Sequence, residues 1–199
     1  MIHRITGALL LGAILVFGAS AAVAQTAVFT TETSTGNDTL YVGIPGSIIF
    51  NLDATGMNLS AITMPMMFDF GGAGNLIGPV SESGDGVATA QFAFSAYTGS
   101  VMENNPFNAP MGDDFTEDPD TLLWGALDFN GAGFDAAEEV GRISFVPLGE
   151  GTLVIDSMLL SPANELSVLD QDAQGLPFTW EPTTITFIIR PNVAPDITD

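Results

Sequence analysis

Any chemistry this chain performs has to be carboxylate chemistry. It carries 24 acidic residues against 3 basic ones, a formal net charge of −21, with no cysteine, no lysine and a single histidine, His3. Ser-His-Asp and Cys-His triads, Schiff-base lysines, zinc sites built on His or Cys, and a lysine-bearing phosphate loop therefore cannot be assembled. Glycoside hydrolysis needs only two acids flanking a bond, but abundance of acids is not a motif. Asp53-Ala54-Thr55-Gly56 is broken by its alanine as an Asp-Thr-Gly triplet, and no second copy exists. The expectation is a protein that is not an enzyme.

Two constellations could bind instead. The acidic run Asp113-Asp114-Phe115-Thr116-Glu117-Asp118-Pro119-Asp120 offers Asp113, Asp114, Asp118 and Asp120 as oxygen ligands for calcium. It lacks the spaced acids and distant glutamate of a helix-flanked calcium loop, and the competing reading is a solvated loop. Asp170 and Asp172 make the same case more weakly. Trp124, with Asp128 nearby, is the candidate ligand-binding pair. If Leu123, Leu127 and Phe129 face the core, Trp124 and Asp128 lie on the outer face, where an indole could stack on a sugar or anchor a protein. The competing reading is that a loop covers it. Trp180 reads as a plug at the end of the domain, and Met57, Met64, Met66 and Met67 read as core filling. Asn37-Asp38-Thr39 and Asn58-Leu59-Ser60 fit glycosylation acceptors, but such triplets arise often by chance.

The elements that must position these residues read as strands. Ile62, Met64, Met66, Phe68 and Phe70 alternate with Ala61, Thr63, Pro65, Met67 and Asp69, and Ala90, Phe92, Phe94 and Ala96 repeat the pattern. Shorter runs are Ile48-Phe50-Leu52, Ile143-Phe145, Leu153-Ile155 and Ile185-Phe187-Ile189. Gly71-Gly72, Gly84-Asp85-Gly86, Asn130-Gly131 and Gly149-Glu150-Gly151 are placed as hairpin turns. The one helical stretch, near Phe134 to Val140, is short. Glu103 to Asp120, with three prolines, reads as a long exposed loop. Such a pattern predicts an all-β fold: a two-sheet β-sandwich of jelly-roll type with about nine strands.

Organisation is simple. Arg4, the apolar run Ile5 to Phe17, and Ala22-Val23-Ala24 form a secretory signal over residues 1–24, cleaved after Ala24. Residues 25–190 form one domain, and residues 191–199 a flexible linker or tail. Secretion or display at the cell surface follows, with no membrane span once the signal is removed. Cleavage leaves only Arg142 and Arg190 as cations, so nucleic acid is excluded as a partner.

Three segments carry a family resemblance. Leu40-Tyr41-Val42-Gly43 leads through Gly46 into Ser47-Ile48-Ile49-Phe50-Asn51-Leu52, followed by Leu59-Ser60-Ala61-Ile62-Thr63-Met64-Pro65-Met66-Met67-Phe68. Gly141-Arg142-Ile143-Ser144-Phe145 and Ile185-Thr186-Phe187 come later. In this order they resemble the strands of cohesin-like domains of secreted bacterial proteins, relatives of the cellulose-binding β-sandwich modules. The resemblance spans Leu40 to Ile189. It implies a non-enzymatic scaffold or adhesion module that docks a calcium-loaded dockerin on a sheet face, or in related modules a polysaccharide. No contact residue is carried over individually. Calcium is the one cofactor these readings allow.

Overall fold

The computed structural model describes residues 25–81, 88–92, 107–108, 117–127, 133–158 and 166–189. The expected signal and tail, and the expected turns at Gly84-Asp85-Gly86 and Asn130-Gly131, lie outside them, as do Phe94 and Ala96. Thirteen strands are present in order: β1 (Ala27–Thr33), β2 (Thr39–Tyr41), β3 (Gly46–Asp53), β4 (Leu59–Asp69), β5 (Val80–Ser81), β6 (Ala88–Phe92), β7 (Phe107–Asn108), β8 (Asp120–Leu127), β9 (Ala137–Phe145), β10 (Gly151–Ser157), β11 (Ser167–Asp170), β12 (Phe178–Trp180) and β13 (Thr183–Ile188). Among the described residues there is no helix, and none long and apolar enough to cross a membrane.

Two mixed sheets pack face to face. One has six strands in the order β12-β1-β3-β9-β6-β5; the other has seven, β2-β13-β10-β4-β8-β7, with β11 pairing β4 beside β10. Their inner faces supply the core. Ile62, Met64, Met66, Phe68 and Phe70 from one sheet meet Phe29, Ile48, Phe50, Leu52, Ile143 and Phe145 from the other, all buried. Phe29 stacks on Phe50 within the six-stranded sheet at 5.8 Å, while Phe145 and Phe187 meet edge to face across the two sheets at 5.8 Å. Met64 and Met66 are core residues, as expected, and Met57 packs against the same cluster. Met67, also expected as core filling, is instead half-buried on the outer side of β4, because strand alternation turns it away from its neighbours.

The expected all-β sandwich is present, with more strands than the predicted nine because long strands break and switch sheets. β1 lies in the six-stranded sheet and β2 in the other, and the same holds for β12 and β13. The two ribbons run side by side in parallel, Ala27 to Phe29 against Phe178 to Trp180, then Thr39 to Tyr41 against Thr186 to Ile188. Pro182, which offers no amide to a ladder, stands at the β12–β13 break. At the β1–β2 break Gly36 takes φ +71°, a conformation only glycine adopts without cost.

Three sequence expectations are corrected here. Gly71-Gly72 and Gly149-Glu150-Gly151 do not close hairpins: each joins strands in opposite sheets, β4 to β5 and β9 to β10. Residues 134–140 are not helical; Phe134 forms an isolated bridge with Leu59, and Ala137 begins β9. The expected loop Glu103–Asp120 is interrupted by β7, which pairs Phe107 and Asn108 with Leu123 and Leu122.

Pro65 sits inside a central strand without breaking it. In an antiparallel strand one residue's amide and carbonyl point to the same side. The Pro65 carbonyl accepts the Met158 amide, just beyond the end of β10. The missing Pro65 N–H therefore faces the gap where β10 leaves β4 and β11 has yet to join it, since Ser157 pairs Met66 and Ser167 pairs Thr63. The ladder to β8 on the other side runs unbroken from Ala61 to Phe68.

Candidate functional site

Residues directly opposite in an antiparallel pair share a face, so register alone assigns the two surfaces of the seven-stranded sheet. Met64 pairs Trp124, Met66 pairs Leu122 and Ile62 pairs Ala126; all six are buried on the inner side. Pro65 pairs Leu123, Thr63 pairs Gly125 and Met67 pairs Thr121 on the outer side. Across the other edge of β4, Asp156 pairs Met67 and Val154 pairs Asp69. The outer face thus has Leu123, Met67 and Val154, all half-buried, at its middle beside the buried Pro65, bordered by Thr63, Thr121, Thr152 and Thr184 and by Asp69 and Asp156. On this face Ser157 contacts Asp156 only locally, at 3.5 Å, and at the far end of β4 the Ser60 hydroxyl donates across to the Asp170 carbonyl of β11.

The outer face of the six-stranded sheet is different. Asn51 donates to Glu32 at 3.0 Å, the Ser47 and Ser144 hydroxyls meet at 3.0 Å, and Arg142 forks onto both Glu139 oxygens at 2.8 Å. The Arg142 hydrogen bonds hold the Glu139 carboxyl below its ordinary range, and Glu139 in turn holds the guanidinium charged. Asp53 is likewise held low by the Thr55 amide and hydroxyl, a turn contact and not half of a catalytic pair. Several polar side chains on that face are paired with one another, beside the apolar Val28 and Ile49.

Trp124 is 0% exposed. The expected outer placement is reversed: Leu122, Trp124 and Ala126 take the core, and Leu123 points out. The physical reason is the register with β4, which fixes the phase of β8 by putting Trp124 opposite Met64. An indole at this position has no face to offer a sugar ring, so the carbohydrate-binding reading loses its residue. Asp128 lies outside the described residues. Trp180 is half-buried on the edge strand β12, its ring edge-on to Phe29 at 5.0 Å.

Of the four candidate calcium ligands, Asp113 and Asp114 lie outside the described residues. Asp118 accepts the Phe70 amide at 2.7 Å and the Gly74 amide at 3.0 Å with its two oxygens. Asp120, 1% exposed, accepts the Glu117 amide at 3.1 Å and the Thr121 amide at 2.6 Å. Both carboxylates thus tie loops to the sandwich. Asp170 does the same for Asp172 and Gln174, at 2.9 and 2.8 Å. Among the described residues no group of three or more His, Cys, Asp or Glu could hold a metal ion. Asp118→Ala is expected to cost about 1–3 kcal/mol by stranding two amides, and Asp118→Asn less, since it keeps an acceptor. Urea denaturation checks this; equal stability of the alanine variant would deny Asp118 its structural role.

Sequence reasoning missed Leu123 as an outer-face residue. The signal was present: Leu122-x-Trp124-x-Ala126 alternates as well as Leu123-x-Gly125-x-Leu127, and a buried tryptophan outweighs a second leucine.

No protein-family model matches the chain, and no curated protein does. Solved structures do. A type I cohesin, the seventh of ScaB from Pseudobacteroides cellulosolvens, superposes with a TM-score of 0.55 at 8% identity, covering 84% of this chain and 96% of that one. A chain of a type I cohesin–dockerin complex from Clostridium thermocellum gives 0.53 at 10% identity, over 82% and 100%. A non-cellulosomal cohesin from the archaeon Archaeoglobus fulgidus gives 0.50 at 8% identity, over 82% and 91%. At these identities the likeness is one of architecture, and in architecture this chain has the cohesin-like fold.

Proposed function

We propose that the chain is an exported, non-catalytic module that binds a protein partner of dockerin type through the outer face of its seven-stranded sheet. One observation carries the choice of face. Half-buried Leu123, Met67 and Val154 around the buried Pro65 form an apolar centre ringed by threonines, whereas the opposite sheet carries the paired polar groups of Glu32 and Asn51, Ser47 and Ser144, and Glu139 and Arg142. A protein interface wants an apolar middle with a polar rim. The cohesin-like fold, the cohesin–dockerin pairing of a similarly folded protein, and a processed sequence without imidazole, thiol or amine side chains support the same reading.

The test uses a displayed panel of dockerin modules, the Clostridium thermocellum one included, with and without calcium. The purified chain is expected to retain at least one. Leu123→Asp puts a charge into the middle of the face and is expected to weaken that binding about 30-fold or more, the loss of a central anchor. Its thermal unfolding should stay near that of the parent, because Leu123 points outward. Retention of no dockerin, or full retention by Leu123→Asp, would count against this face.

A further inference from the structure

Asp69 and Asp156 stand on neighbouring strands of that same face. Asp69 lies opposite Val154 and Asp156 opposite Met67, so the two carboxylates are diagonal neighbours with Cα atoms roughly 7–8 Å apart. Each has one oxygen in use: Asp69 Oδ1 accepts the Gly71 amide at 2.7 Å, and Asp156 Oδ1 accepts the Ser157 amide at 2.7 Å. The second oxygen of each has no hydrogen-bond partner among the described residues. Nor, among the described residues, does a cation compensate them there. The ion pair found among the described residues, Arg142–Glu139, is on the other sheet. Like charges on adjacent strands repel, and among the described residues no partner relieves them.

Resting on the docking reading above, we propose that Asp69 and Asp156 together receive a cationic side chain of the partner, an arginine or lysine, while its apolar neighbours cover Met67, Val154 and Leu123. A guanidinium is planar and forked, and can give one N–H to the free oxygen of each carboxylate. Calcium is a poorer occupant. It takes six to eight oxygens, and this face offers two free carboxylate oxygens beside threonine hydroxyls and apolar groups. The net charge of −21 adds a long-range pull on a basic partner and none on an acidic one. The partner's docking surface is therefore basic at one end and apolar in the middle.

Two measurements test this. In the first, N-acetyl-arginine amide is titrated into the isotope-labelled chain and the side-chain carboxyl signals are followed by NMR. Asp69 and Asp156 are expected to shift first, and the response to vanish in Asp69→Asn/Asp156→Asn. Shifts spread evenly over the acidic residues would overturn the proposal, as would saturable shifts at this pair with calcium chloride but not with the arginine derivative. In the second, association with a dockerin retained in the panel above is timed at increasing salt. The double variant is expected to bind about tenfold more slowly at low salt and to lose most of the salt dependence. If its rate matches the parent while Leu123→Asp still abolishes binding, the docking face stands and the cation receptor falls. If the arginine response appears but no dockerin is retained, the receptor stands and the dockerin reading falls.

Discussion

Trp124→Ala is expected to lower the unfolding free energy by about 3–5 kcal/mol, the usual cost of emptying a large aromatic site in a packed core. The indole is fully buried between the sheets, on a strand whose neighbours on that face, Leu122 and Ala126, are buried too. The small Ala126 beside it on the same face cannot swing in to refill the space, so most of the cavity should persist. For a chain of this length each kcal/mol moves the melting temperature by roughly 2–4 °C, which places the variant about 10 °C or more below the parent. Urea denaturation gives the free energy directly. Fluorescence of the parent adds an independent check, because a buried indole emits at shorter wavelength and resists aqueous quenchers. A loss under about 1 kcal/mol would mean that the tryptophan stands at the surface, and the phase of β8 would have to be reversed along with the docking face built on it.

That residue also marks where the sequence stopped being legible. The strand Leu59–Asp69 was readable because five apolar side chains alternate without competition, and all five of Ile62, Met64, Met66, Phe68 and Phe70 are buried. In Leu122-Leu123-Trp124-Gly125-Ala126-Leu127 both phases carry leucine, so periodicity alone cannot choose. The choice is made by pairing with β4, a contact between residues some sixty positions apart. Turn residues misled for a related reason. Glycine pairs report a reversal of the chain but not its destination, and at β4–β5 and β9–β10 the destination is the opposite layer. The acids of 117–120 were legible as acids and opaque in role. Asp118 and Asp120 work through amides contributed partly by the distant turn Phe70–Gly74, which no local spacing reveals. The outer face was half legible: Met67 and Pro65 were assigned to it, while Leu123 was put inside.

Raising salt from about 0.01 M to about 1 M sodium chloride at neutral pH is expected to raise the melting temperature, because it shortens the Debye length from about 30 Å to about 3 Å. The sign follows from which charges are screened. One exposed pair, Glu139–Arg142, supplies attraction among the described residues, and such pairs contribute at most about 1 kcal/mol. Against it stands the self-repulsion of a chain with a net charge of −21, which disfavours the compact state. Screening removes more repulsion than attraction, so stability climbs, and a fall in melting temperature with salt would contradict this charge balance. Acid acts first in the same direction. As exposed carboxylates take up protons, repulsion eases, and the folded state gains. Further acidification reverses the trend through Asp53 and Glu139. Both are held below their ordinary values by hydrogen bonds that exist only in the fold, from Thr55 and from Arg142. Their contribution is complete above the unfolded-state values near pH 4 and is lost as pH drops through the lower folded ones. Calorimetry across pH should therefore find the maximum on the acid side of neutrality at low salt. With repulsion already screened at high salt, that maximum should flatten toward neutral pH, while the acid limb, set by hydrogen bonds, stays where it is.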